Sequence, residues 1–324
     1  MTCIPHTSYF ESPDFTFDTL KCLVWIEVPI LAFGGYCILF KTPATMNSVK
    51  WPMMNMHFWT AMFDISLSFL GVPYILFPAL AGWGLGKVQI PGFVFFSSVT
   101  LLGVLAASIV SVYENRYHRL FGQNTRWSRV RKPWLIFMFS FSLTFFIPAL
   151  FYIPDQGSAR QKVFDSLPCL PPFLIDNQPM FVLSLDLVAP SLCIAVSAIV
   201  FGPAWTIFAV LIFWNIMRNK KVSNSLRTHN MQKKFAIAFS IQSTFLILII
   251  LGPVAIVVAS IAMLYHNQTL NNLVYIILSL HGIGSTIVMI LVHKPYRDFA
   301  CSLSLFWKKK KRKNGSNHIS TFAL

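Results

Sequence analysis

The sequence predicts an all-α membrane protein: a bundle of seven transmembrane helices, N-terminus outside and C-terminus cytoplasmic. Three observations carry this. First, the 324 residues are 55% hydrophobic and only 11% charged, where soluble proteins carry about 25% charged residues. Second, seven apolar runs divide the chain, each near the roughly 20 residues a helix needs to cross a hydrocarbon core of about 30 Å. Third, of 26 Lys and Arg only Lys21, Lys87, Arg160 and Lys162 fall on the N-terminal side of those runs. Cations in short loops mark the cytoplasmic side.

The elements follow in order. Residues 1–21 are polar and mildly acidic (Glu11, Asp14, Asp18) and lack the basic n-region and short h-region of a cleaved signal peptide, so the first span is expected to stay in the protein. That span covers about 22–40, with Pro29 and Gly34-Gly35 inside it. The second covers about 55–77, with Asp64 near its middle and Pro73 and Pro78 at its outer half; the loop AGWGLGK follows. The third, about 93–112, is almost free of charge and turns abruptly into YENRYHRLFGQNTRWSRVRKP, a basic loop at its inner end. The fourth covers about 134–152, and a long polar segment, 153–185, precedes the fifth at about 187–214. After another basic loop come the sixth at about 235–263, the loop YHNQTLNN, and the seventh at about 273–292. Residues 22–292 thus form the bundle. Within 293–324, Phe299, Ala300, Leu303 and Phe306 recur at helical spacing, which predicts a short interfacial helix on the inner leaflet, followed by the basic run Lys308 to Lys313.

Several function classes are excluded. The net charge of +15 would suit nucleic acid only if the cations shared a face. They are dispersed over loops and mark topology instead, with attraction to anionic inner-leaflet lipids as a second effect. There is no HExxH, no CxxC pair and no GxxxxGKS, and Gly282-Ile283-Gly284-Ser285 lies inside a span without a third Gly. No enzyme and no cofactor is indicated. Nor is there the internal half-chain similarity expected of inverted-repeat transporters.

Candidate mechanistic residues lie at the membrane faces and at mid-depth. At the inner end of the third span, Glu114 and Arg116 can form an ion pair whose opening releases a planar, permanently charged guanidinium; the alternative is that Arg116 is one more positive-inside anchor. Asp64 lies about 12 residues beyond Pro52, roughly 18 Å along the helix, where an ionised acid costs about 2.5–3.5 kcal/mol. It either holds a cation or water network as a polar switch, or is a protonated acid bonded to a neighbouring helix. Glu27 reads as a rim residue or a ligand contact. Pro203 and Pro253, each preceded by Gly, suit hinges and equally suit static kinks. Cys3 and Cys169 are the cysteines outside helices on the oxidising side, hence candidates for a disulfide. Cys22, Cys37 and Cys193 lie in spans as packing residues, juxtamembrane Cys301 is a candidate for lipidation, and Asn267 opens an outward-side glycosylation sequon.

Taken together, YFESPDF (9–15), GGYCILFKTPATM (34–46), NMHFWTAMFDISLSFLGVPYILFP (55–78), YENRYHRL (113–120), LPCLPPF (167–173) and HKPYRDF (293–299) resemble the nematode serpentine receptor class H chemoreceptors of the wider Str group, nearly along the whole chain. The resemblance implies a G-protein-coupled receptor of chemosensory neurons, in the plasma membrane and its sensory cilia. Its partners would be a small-molecule ligand outside, a heterotrimeric G protein inside, and membrane lipids. By position, Glu114, Arg116 and Tyr117 resemble the acid-Arg-Tyr element of rhodopsin-like receptors, with Asn115 as one inserted residue. Pro295, Tyr296 and Arg297 stand where the Asn-Pro-x-x-Tyr element usually ends the seventh helix. The usual cysteine at the outer end of the third helix is absent, which points Cys169 to Cys3. A ligand-gated channel or transporter on the same seven helices is the alternative function. The cation distribution sets the first test: an epitope at the N-terminus is expected to be labelled on intact cells, and one at Leu324 only after permeabilisation.

Overall fold

The computed structural model describes residues 8–167, 180–218 and 226–303, with side chains for all of these except Thr45 and 226–236. Cys3, Cys169 and the basic run 308–313 lie outside them.

Ser12 starts the first helix, its hydroxyl accepting from Phe15 N–H at 3.1 Å with Pro13 at the first helical position, the pairing that best pre-organises a helix start. Helix α1 (Pro13–Lys41) therefore begins well before the expected residue 22, and Pro29 lies within it. Helix α2 (Asn47–Ile65) continues as a π-helical turn, Ser66–Leu70. Relative to the expected 55–77 this span sits further toward the cytoplasm. Its outer part is instead a strand, β1 (Pro73–Ile75), which pairs antiparallel with β2 (Leu80–Gly84). A short apolar run cannot by itself be told from a buried strand, and here Gly71 and Pro73 end the helix. The prolines expected inside the second span thus shape an outer hairpin.

Next come α3 (Pro91–Tyr117) with a π-turn to Gly122, α4 (Trp127–Thr144) with a short α5 (Ile147–Leu150), and α6 (Gln156–Ser166). Helix α6 starts at Asp155, whose carboxylate accepts from Ser158 N–H at 3.0 Å, and this holds the Asp155 carboxyl below its usual range. Strand β3 (Phe181–Ser184) joins the edge of β2, so the segment 153–185 contributes a helix and a strand to an outer cap of order β1-β2-β3. Tyr74, Trp83, Ala159, Val163 and Val182 form its core. At Gly82 an added Cβ would overlap the Tyr74 carbonyl, so only glycine lets the hairpin strands approach there.

Helices α7 (Val188–Arg218) and α8 (Leu226–Ala262) run uninterrupted through Pro203 and Pro253. The seventh span is broken at Leu280 into α9 (Gln268–Ser279) and α10 (His281–Val292), and α11 covers 294–303. Among the described residues six spans have the length and apolarity to cross a bilayer; α2 with its π-turn, which carries Lys50, His57 and Asp64, is the seventh. The polar run HNQTLNN lies partly on the outer turns of α9 and stitches the cap to the bundle. His266 and Asn271 both donate to the Phe77 carbonyl (2.7 and 3.1 Å), Gln268 to Ile75 (3.2 Å), and Asn272 to Phe10 (2.9 Å). Helix α11 packs on the inner end of α1, with the Phe299 ring against Phe33 and Tyr36 and the Lys41 ammonium 4.2 Å from its centre.

Candidate functional site

Among the described residues two polar centres lie in the bundle. The first, at mid-depth, joins α1, α2 and α10. Asp64 is fully buried and Oδ1 is 2.5 Å from His281 Nδ1. That nitrogen also lies 2.7 Å from the Leu278 carbonyl, so it faces two acceptors and carries a hydrogen. Glu27 is equally buried and accepts from Ser68 Oγ at 2.8 Å, a hydroxyl shared with the Asp64 carbonyl at 2.8 Å. Backbone economy makes the approach possible: a Cβ at Gly282 would overlap the Asp64 carboxylate, and one at Gly34 would press on Thr286 and His57. His57 is held in turn by the Leu31 carbonyl at 2.8 Å.

Asp64, then, does not stand alone at mid-depth. Its neighbours are an imidazole and a second acid, and Glu27 is an interior residue rather than a rim residue. The signal for His281 was present as a histidine at a Gly-containing break in an apolar run, where a mid-membrane acid needs a donor. Among the described residues no three His, Cys, Asp or Glu side chains converge as metal ligands.

The second centre is the inner mouth. Glu114 is buried, and its partner is Arg131 of α4, not Arg116. Arg131 Nε and Nη2 reach the two carboxylate oxygens at 3.0 and 2.9 Å, and Trp127 Nε1 donates at 2.8 Å. Residues two apart on a helix point to nearly opposite sides, so the inserted Asn115 separates the acid from Arg116. Asn115 itself donates to the Ser48 carbonyl at 3.1 Å at the start of α2. Arg116 is half-buried beside His293, and burial together with that guanidinium pulls the His293 imidazole down to about 4, leaving it neutral. His293 Nε2 lies 3.4 Å from Gln242 Oε1 of α8. One turn before, Tyr113 Oη is 2.6 Å from Ser243 Oγ, also of α8.

Tyr117 packs on Phe208 of α7, as do Trp127 and Trp134. Pro295 lies in the first turn of α11, Tyr296 is buried with its hydroxyl 2.8 Å from Thr42 Oγ1, and Arg297 Nη1 donates to the Leu291 carbonyl at 3.3 Å. Of the remaining candidates, Pro203 faces outward and Pro253 is buried, while Cys301 is exposed on α11. Asn267 is half-buried and caps α9, accepting from Leu270 N–H at 2.9 Å.

On the outer side, a cavity of about 470 Å³ lies beside the cap, with Lys162, Ser184 and His266 among its lining. The model of the serpentine type 7TM GPCR chemoreceptor Srh family matches residues 11–306. The chain belongs to that family. It is also 27% identical over 322 residues to serpentine receptor class H-72 of Caenorhabditis elegans, covering 95% of this chain and 90% of that protein. This Srh chain is therefore a multi-pass membrane protein of a receptor class, not of an enzyme family.

The mid-depth pair generates a prediction. Asp64→Asn and His281→Gln, each alone, should destabilise the detergent-solubilised receptor by about 3–5 kcal/mol, as expected when one member of a buried pair is removed. The double variant should recover a coupling energy of about 1–3 kcal/mol in thermal unfolding. Strict additivity would mean that the two groups do not interact.

Proposed function

We propose that this Srh receptor sits in the plasma membrane of chemosensory neurons, binds a small extracellular molecule, and activates a heterotrimeric G protein through its inner mouth. The observation that carries the reading is the family match, with Arg116 half-buried at the inner end of α3 on the same membrane face as His293 at the end of α10. An outward movement of α8, biased by ligand, would open that corner, and the equilibrium shifts by the ligand's differential affinity for the two states. The outer cavity is of a size that suits a small molecule. Pro253 lies between the cap and Ser243 along α8, where a hinge would serve this motion. From Phe93 to Arg116 the third span runs about 35 Å, so ligand and guanidinium stand at opposite faces.

Arg116→Ala is expected to abolish G-protein activation with surface level and ligand binding retained. Arg116→Lys should restore only part, because lysine keeps the charge and loses the planar fork. Arg131→Ala is expected to act differently, lowering surface expression and stability, because it leaves the Glu114 carboxylate uncompensated. Undiminished coupling in surface-expressed Arg116→Ala would leave that residue a topology anchor. Ligand-evoked current that persists without G proteins would point to a channel.

Tyr113→Phe tests the opposite direction. Loss of one buried hydrogen bond, about 1 kcal/mol, from the α3–α8 tie should raise ligand-independent activation about five-fold. A dissociation assay of the G protein reads it; an unchanged or lowered basal level would remove this tie from the switch.

A further inference from the structure

We propose that a groove at the outer leaflet, between α1 and the outer end of the second span, binds a single-chain amphiphile with an anionic head group, a carboxylate or a phosphate. The groove measures about 750 Å³. Its α1 wall is Phe17, Lys21, Val24, Trp25 and Val28, which recur at helical spacing and so form one face. Trp25 is 79% exposed and Val28 46%, which in a membrane means open to lipid. The opposite wall is Phe69, Val72, Leu85 and Lys87, and Ser68 forms the floor.

The arrangement of charge decides the class of occupant. Two of the four outward cations, Lys21 and Lys87, stand on the two walls of this one groove, and no acidic side chain is among its lining residues. Lys87 is placed there by the backbone. The segment after β2 is strapped along the second span's end by Gly86 N–H to Gly71 O (3.1 Å) and Val88 N–H to Leu70 O (2.8 Å). A Cβ at Gly86 would overlap the Leu70 carbonyl, so the approach that brings Lys87 to the rim needs glycine. Below the lysines the walls are apolar down to Pro29 and Ser68, about 12 Å along α1 from Lys21. A hydrophilic anion would leave that length unused, and a neutral lipid would leave both exposed ammonium groups, Lys21 beside the Phe17 ring and Lys87, without a counter-charge in the groove. An acyl chain ending in an anion matches both parts. This site faces lipid, apart from the outer cavity and from the inner mouth, and so stands or falls independently of G-protein coupling.

The test uses full-length receptor in phosphatidylcholine nanodiscs and a palmitate bearing an alkyl diazirine, with labelled peptides located by mass spectrometry. Saturable labelling is expected in 17–29 and 68–72, displaced by palmitate and by lysophosphatidate but not by neutral monoacylglycerol, acetate or inorganic phosphate. Lys21→Gln with Lys87→Gln should lower it about ten-fold. Val24→Trp, which fills the groove and keeps both lysines, should lower it as well. Equal displacement by monoacylglycerol, or equal labelling of the other lipid-facing helices, would mean ordinary boundary lipid and overturn the proposal. So would displacement by acetate or phosphate, which would mark a simple anion site, or labelling unchanged in both variants.

Discussion

Inside a bilayer a polar side chain can be satisfied only by other protein groups, and in this receptor that constraint fixes how three of the spans meet. Two acids, Glu27 and Asp64, are buried at 0% exposure. The imidazole set against Asp64 comes from the break in the seventh span, and the hydroxyl that donates to one Glu27 oxygen from the π-turn of the second. Both partners depend on departures from a regular α-helix. Gly282 then lets the α10 backbone close on the carboxylate, and Gly34 does the same for α1 against His57 and Thr286. An uninterrupted pair of helices with larger residues would keep these groups apart and leave the acids unanswered.

The seven spans and their direction were legible because hydrophobicity and loop charge are properties of composition. The boundaries were less so. Ser12-Pro13 is a readable helix start, yet the apolar-run criterion placed it near residue 22. The run 71–77 looked like helix because a buried strand and a buried helix have the same composition over so short a length. The outer cap was illegible for a related reason: its strands, from residues 73–84 and 181–184, pair across about a hundred residues. Asn271 and Asn272, read as loop, are the donors that hold the cap and the N-terminal segment to α9.

At the candidate site, residue types were legible and partners were not. Asp64 announced itself by depth, but His281 could be joined to it only by folding. Glu114 and Arg116 announced an acid-Arg element, and the partner of the acid is an arginine from α4 instead. What sequence offered was a set of groups requiring partners, and the topology of the bundle supplied them.

The inner end of α3 shows how one inserted residue redistributes contacts. Successive residues of an α-helix turn by about 100°, so four in a row address four directions. Tyr113 faces α8, Glu114 the base of α4, Asn115 the start of α2, and Arg116 the corner beside His293. Were acid and arginine adjacent, one ion pair could both hold α3 and restrain the guanidinium. With Asn115 between them, the holding falls to Glu114 through Arg131 and Trp127. Among the described residues, α3 meets α8 here through Tyr113, which reaches Ser243 and packs on Phe239. The groups that hold α4 and those that meet α8 thus leave α3 in different directions, so the proposed movement of α8 would not need to break the α3–α4 ion pair.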